Sequence, residues 1–143
     1  MPSTPKGPSQ VIFLAPGAGR SYQAGPMHAV FKADGPETDD GYCVSEWWLE
    51  AGDSGPGPHS HEENVELFYV IEGTMSFRAG DEWLKAPRGS FLRVPAGVTH
   101  DFENRSSARA GALNVFLPGG FEVMMPSIIE WFERQGERGQ AGD

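Results

Sequence analysis

The chain has a single cysteine, Cys43, so no internal disulfide can form and a disulfide scaffold is excluded. Long apolar runs are also absent. The longest, such as residues 67–71, fall far short of the ~18 residues that a membrane helix needs. The apolar stretch 11–15 soon meets Pro16 and Gly17, which is too short for a secretory signal. These features give the expectation of a cytoplasmic protein with no membrane partner. Positive charge is scarce, with 11 Lys and Arg against 20 Asp and Glu and a formal charge of -9. A surface this acidic repels phosphate backbones, so nucleic acid is not an expected partner. Histidine is scarce too, with 4 in 143 residues.

Turn residues are abundant. Glycine (19) and proline (12) make up about a fifth of the chain, against a usual ~12%. That excess disfavours a helical bundle and favours short elements joined by turns. The length fits one domain, since domains run to about 100–150 residues. Residues 1–10, rich in Pro, Ser, Gly and Lys, read as a flexible tail. Strand patterns are expected at 11–14, 27–33, 42–50, 65–71, 74–78, 82–84, 90–94, 100–103 and 109–117. Residues 35–41 read as an acidic loop, and 16–25 as a turn region with room for a short strand. Helical spacing appears only near the end, where Phe121, Met124, Met125, Ile128, Ile129, Trp131 and Phe132 form an apolar stripe. The helix is expected within 119–135, with Pro126 in a first turn and a flexible tail over 136–143. Many short strands followed by one helix predict an all-β sandwich or small barrel.

Two of the four histidines lie in Pro58-His59-Ser60-His61. In extended chain, residues two apart face the same way, about 6.6 Å apart, so His59 and His61 can converge on one ion. Glu66 follows in a strand whose parity also turns Phe68 and Val70 inward. His100 follows the turn residues Pro95 and Gly97, with Phe102 and Asn104 on its face. Three imidazoles and a carboxylate suit a divalent transition metal. By spacing alone, a His-x-His pair in an acidic Pro/Gly loop is more often a surface feature than a ligand pair.

The spacing carries a resemblance. His59-x-His61, four residues, Glu66, six residues and Gly73 resemble the first cupin motif. Gly89, five residues, Pro95, one, Gly97, two, His100, three and Asn104 resemble the second, with residues 74–88 as spacer. The family often places Gly six residues before the first His, where this chain has Asp53. The chain is similar to single-domain cupins of the quercetin-dioxygenase-like kind. The resemblance implies a jelly-roll-like β-barrel of two antiparallel sheets over 11–118, with the short helical segment after it. It implies that His59, His61, Glu66 and His100 bind one divalent ion (Fe, Mn, Ni, Co, Cu or Zn). It also implies a homodimer, as is common among cupins, and a small-molecule substrate.

Within that frame Glu66 is also the candidate catalytic base. Trp47, Phe68 and Phe102 are candidate pocket walls. His28 is a candidate pocket contact or, alternatively, an ordinary strand histidine. Asn104 is either a loop-bonding residue or a plain loop asparagine. Glu62 and Glu63 read as a charged loop beside the site, and Cys43 as a small core residue. The expected function is metal-dependent dioxygenation of a small enolisable or aromatic substrate, flavonol-like or diketone-like. The alternatives are a non-catalytic metal-binding or small-molecule-binding cupin, or a redox-neutral isomerase.

Overall fold

Strands that separate a core from an outer surface bury every second residue. The computed structural model describes residues 9–141, with side chains to residue 136. Strand β3 (Cys43–Leu49) shows the alternation most cleanly: Cys43, Ser45, Trp47 and Leu49 are buried, and Val44, Glu46 and Trp48 half-buried. Before it come β1 (Arg20–Ala24), β2 (Met27–Ala33) and the one-turn helix α1 (Gly35–Thr38). After it come β4 (Val65–Glu72), β5 (Thr74–Ala79), β6 (Glu82–Pro87), β7 (Phe91–Val94), β8 (His100–Glu103) and β9 (Ala110–Leu117). A 3-10 turn (Glu122–Met124) leads into helix α2 (Met125–Ala141).

The strands form two antiparallel sheets. One has the order β1-β2-β3-β9-β4-β7 and the other β6-β5-β8. The core lies between them. The Phe68 ring from the larger sheet meets those of Phe77 and Phe102 from the smaller, with centroids 5.0 and 6.0 Å apart. Gly73 carries the chain from β4 in one sheet to β5 in the other, with φ of 68°. Only glycine holds that backbone cheaply, and a side chain there would strike the Arg109 carbonyl.

The expected β-barrel is corrected here. Neither sheet closes on itself: β1 and β7 are the edges of one, β6 and β8 of the other. The four-residue strands β7 and β8 belong to different sheets, and the turn from Pro95 to Gly97 lies between them. The ladder is not continued across that gap. The architecture is a sandwich of two open sheets.

Other boundaries also differ from the sequence pattern. Residues 11–14 form no strand among the described residues, and Val11 (91% exposed) and Phe13 (86%) face outward. β1 takes the position beside β2 instead, because the two-residue turn Gly25-Pro26, with Gly25 at φ 57°, closes a tight hairpin. The acidic loop expected at 35–41 contains α1, with Pro36 in its first turn. Helix α2 continues past Gly136 and Gly139, residues that each cost about 1 kcal/mol in a helix relative to alanine. Pro126 lies in its first turn, as the sequence suggests. Residues 1–8 of the expected N-terminal tail lie outside the described residues. No described helix is long and apolar enough to cross a membrane.

This packing sets a contrast between two phenylalanines. Phe77 is 2% exposed in the core and Phe91 is 63% exposed on an edge strand. Phe77→Ala is expected to cost about 3–5 kcal/mol in urea unfolding, and Phe91→Ala less than about 0.5 kcal/mol in the monomer.

Candidate metal centre

His59 and His100 are tied together through the backbone. His59 N–H donates to the His100 carbonyl at 3.0 Å, and His100 N–H donates to the His59 carbonyl at 2.8 Å. Each ring is then oriented by a local carbonyl. His59 Nδ1 lies 2.8 Å from the Gly57 carbonyl and His100 Nδ1 lies 2.9 Å from that of Val98. Such bonds fix the tautomer and leave Nε2 free to bind. His61 sits in the same loop, and its carbonyl accepts from Gly97 N–H at 2.8 Å. Glu66 comes from the inner face of β4, where it pairs in register with Val94 and Phe116.

The possible ligand atoms of His59, His61, Glu66 and His100 all lie within 4.8 Å of one another. Nε2 of His61, Nε2 of His100 and Oε2 of Glu66 are buried and make no regular hydrogen bond. Glu66 Oε2 lies against His100 Nε2 and 3.7 Å from His61 Nε2. Buried polar atoms without partners are costly. Three of them facing one point fit a divalent ion that accepts their lone pairs. With nitrogen and oxygen donors and no thiolate, the set suits a transition metal rather than Ca²⁺ or Mg²⁺. The site thus has the donors for one divalent metal ion, and its chemistry does not select among the candidates.

Two further polar side chains hold these donors, and both escaped the sequence reading. Asn114 on β9 directs its amide toward Glu66 Oε1 at 3.3 Å. Its signal was an asparagine on the inward parity of β9, between Ala112 and Phe116. Asp101 accepts from Gly57 N–H at 3.1 Å and Phe102 N–H at 2.8 Å, which joins the His59 loop to β8. Asn104 reaches the carbonyls of Leu49, Glu50 and Ala108 and so fastens loop backbone.

Electrostatics prepares the donors unequally. Burial lowers the pKa of His59 and of His61, so both are neutral near pH ~7. Burial also opposes charging His100, but the adjacent Glu66 carboxylate and the Val98 carbonyl outweigh it and raise its pKa. Burial works against the Glu66 anion, and the three neighbouring imidazoles more than offset this, so its pKa falls.

Three of the donors, His59, His61 and Glu66, open onto a cavity of about 530 Å³. Trp47, Phe68 and Phe102 line it, together with Asn64, Phe116 and Phe121. His28 does not line it. It lies between Met27 and Ala29, which face inward, and is paired in register with Trp48 on the outer side of the sheet. Tyr22 and the outward-facing Arg93 are also absent from the lining. Glu62 and Glu63 are exposed beside the site, and Cys43 is buried in the core. The far wall comes from Met124 of the 3-10 turn and from Ile128, Trp131 and Phe132 in α2. Sequence periodicity gave that helix an apolar stripe but not the surface it covers.

Residues 45–116 match the Cupin_2 cupin-domain family, just over half of the chain. The chain is a cupin. A curated relative is quercetin 2,3-dioxygenase of Bacillus subtilis, 31% identical over 75 residues. That match covers 52% of this cupin but only 22% of the larger enzyme. Among solved structures, KdgF from Halomonas sp. superimposes with a TM-score of 0.69 at 15% identity, over 80% of this cupin and 99% of that chain. A predicted oxalate decarboxylase from Thermotoga maritima gives 0.66 at 16% identity, over 76% and 99%. These structural likenesses show the shared cupin fold.

The geometry sets two expectations for metal binding. In equilibrium dialysis, His59→Ala and His100→Ala abolish stoichiometric uptake, and Asn114→Ala weakens it about 10–100-fold, as expected for a residue that orients a ligand. Because ligands bind deprotonated, affinity is full above the raised pKa of His100 and is lost as pH falls through it. That loss begins above the ordinary histidine value of ~6.5. Calorimetry in buffers of different ionisation enthalpy should show proton release on binding near pH ~7, and Glu66→Gln should reduce it.

Proposed function

We propose that this cupin is a metal-dependent dioxygenase for a small, flat, enolisable or aromatic substrate, similar in chemistry to the quercetin-dioxygenase-like cupins. The supporting observation is the cavity wall. Aromatic rings, methionines and isoleucine surround the donor set, and no lysine or arginine is among the lining residues. A small dicarboxylate or sugar acid would find no lysine or arginine in that lining to pair with a carboxylate turned away from the ion. A flat neutral ring would bury its faces against Trp47, Phe68, Phe102 and Phe116.

When bound, a redox-active metal supplies polarisation of a substrate oxygen and the electron-transfer chemistry that O₂ requires. The residues of the chain do the rest. Asn64 and Asn114 are the amide side chains in the lining. Asn114 spends its N–H groups on Glu66 Oε1 and the Leu67 carbonyl. Asn64, which gives one N–H to the Pro118 carbonyl, has a second N–H to orient a substrate oxygen. The aromatic wall excludes water from the reacting atoms. Glu66 would take the proton of an enol or phenol at Oε2 by swinging out of the donor set, with Oε1 within reach of the Asn114 amide. Both atoms of O₂ enter the product, so no external reductant is needed.

We also infer a homodimer through the outer face of the larger sheet. Val44, Val115 and Leu67 align across β3, β9 and β4, and Leu113, Tyr69 and Phe91 across β9, β4 and β7. Tyr69 and Phe91 are exposed. An apolar face of this extent favours a protein contact. Sedimentation of the wild type is expected to give a dimer, and Tyr69→Lys with Phe91→Lys a monomer.

The activity test has two steps. Elemental analysis of protein purified without added metal should find about one transition metal ion per chain. Oxygen uptake with a panel of flavonols and β-diketones should then follow Fe, Mn, Ni or Co content, and Glu66→Gln should lower kcat about 10²–10⁴-fold. Metal binding without oxygen uptake across the panel would overturn the dioxygenase reading and leave a binding or isomerising cupin.

A further inference from the structure

The cavity wall that faces the donors is not part of either sheet. Residues 118–121 form no strand, and the 3-10 turn and α2 follow them. Side-chain and loop contacts must therefore hold this wall in place. The main anchor is Asp34, which follows β2 and is 1% exposed. Its Oδ1 accepts the Gly120 N–H and its Oδ2 the Glu122 N–H, each at 2.6 Å. The two pinned amides flank Phe121. The Phe121 ring lies 5.1 Å from that of Phe116 and 6.0 Å from that of His61.

A second set of bonds backs the first. The Glu122 carboxylate accepts from Arg20 Nε and Nη2 at 2.8 Å and from the Tyr22 hydroxyl at 2.7 Å. Arg20 also donates to Glu37 at 2.6 Å. Gly119 completes the seat. A Cβ at that position would lie 2.9 Å from Asp34 Oδ1 and 2.7 Å from the Tyr42 carbonyl, so only glycine lets the segment sit this close. A buried carboxylate is tolerated only where its oxygens are satisfied. Here the groups that satisfy it include the amides on both sides of one cavity-lining ring, and the buried Cys43 thiol lies against it as well.

We propose that Asp34 is a positioning residue for the metal-centre cavity. Its carboxylate, backed by Arg20, Tyr22 and Glu122, clamps residues 119–124 so that Phe121 and the first turns of α2 close the cavity and limit what it admits. The proposal rests on the cavity being the ligand site, and its readouts need no turnover. Asp34→Asn keeps the size but offers one acceptor oxygen, so one of the two amides loses its partner.

The test compares wild type and Asp34→Asn loaded with Co²⁺, using N-phenyl-1-naphthylamine as a neutral apolar probe of the cavity. Amide exchange at Gly120 and Glu122 is expected to rise about tenfold or more, the scale of one lost charge-assisted bond, while β3 and β9 stay protected. Probe affinity is expected to fall about tenfold by the same bond energy, with the Co²⁺ ligand-field spectrum of the probe-free protein unchanged. A purely structural role would instead raise exchange throughout the sheets and lower the melting temperature without selective loss of the probe. That result, or unchanged exchange at Gly120 and Glu122, overturns the proposal. If Asp34→Asn does not fold, the half-exposed Arg20 provides the deciding variant. Arg20→Met should produce the same local pattern at about threefold, and its absence overturns the clamp. A site that binds no Co²⁺ even in wild type would defeat the metal reading and leave the exchange result to judge the clamp alone.

Discussion

Glu66 carries a negative charge into the space between two sheets, where an isolated carboxylate would cost several kcal/mol. The surrounding structure meets that charge. β8 brings His100 against one oxygen and β9 brings the Asn114 amide toward the other. The His59–His100 backbone pair then fixes the loop to the strand, and Asp101 fixes the loop a second time. The same geometry that makes the carboxylate tolerable gathers three imidazoles around it. The donors that make the carboxylate tolerable are thus the same donors that would hold a divalent ion.

Much of this was readable from the sequence because it is local. A His-x-His pair needs only extended chain, Gly73 needs only a positive φ, and Pro95 with Gly97 needs only a tight turn. Inward parity placed Phe68, Val70 and Phe102 correctly, since a strand cannot change face without a bulge. The parts that were not readable depend on partners distant in sequence. Residues 11–14 have a strand composition, but β1 gains the edge of β2 through its hairpin turn. His28 has the right chemistry for a pocket and the wrong phase in β2. Closure of the sheets also depends on long-range registers, and the expected barrel proved to be two open sheets.

Asp34 illustrates the same limit from the other side. In the sequence it is one acid in an acidic stretch, indistinguishable from Asp39 and Asp40. In the fold it is buried while those two are exposed. Its partners are backbone amides more than 80 residues away, and backbone amides leave no trace in composition or periodicity.

The donors come from residues 59–100 and the opposing wall from residues 119–132. No residue serves in both groups. The donor set and this one wall are therefore separate along the chain, while Trp47, Phe68, Phe102 and Phe116 shape the cavity from the sheets. Replacement of the C-terminal segment by one of different shape would reshape that wall and leave the four donors where they stand.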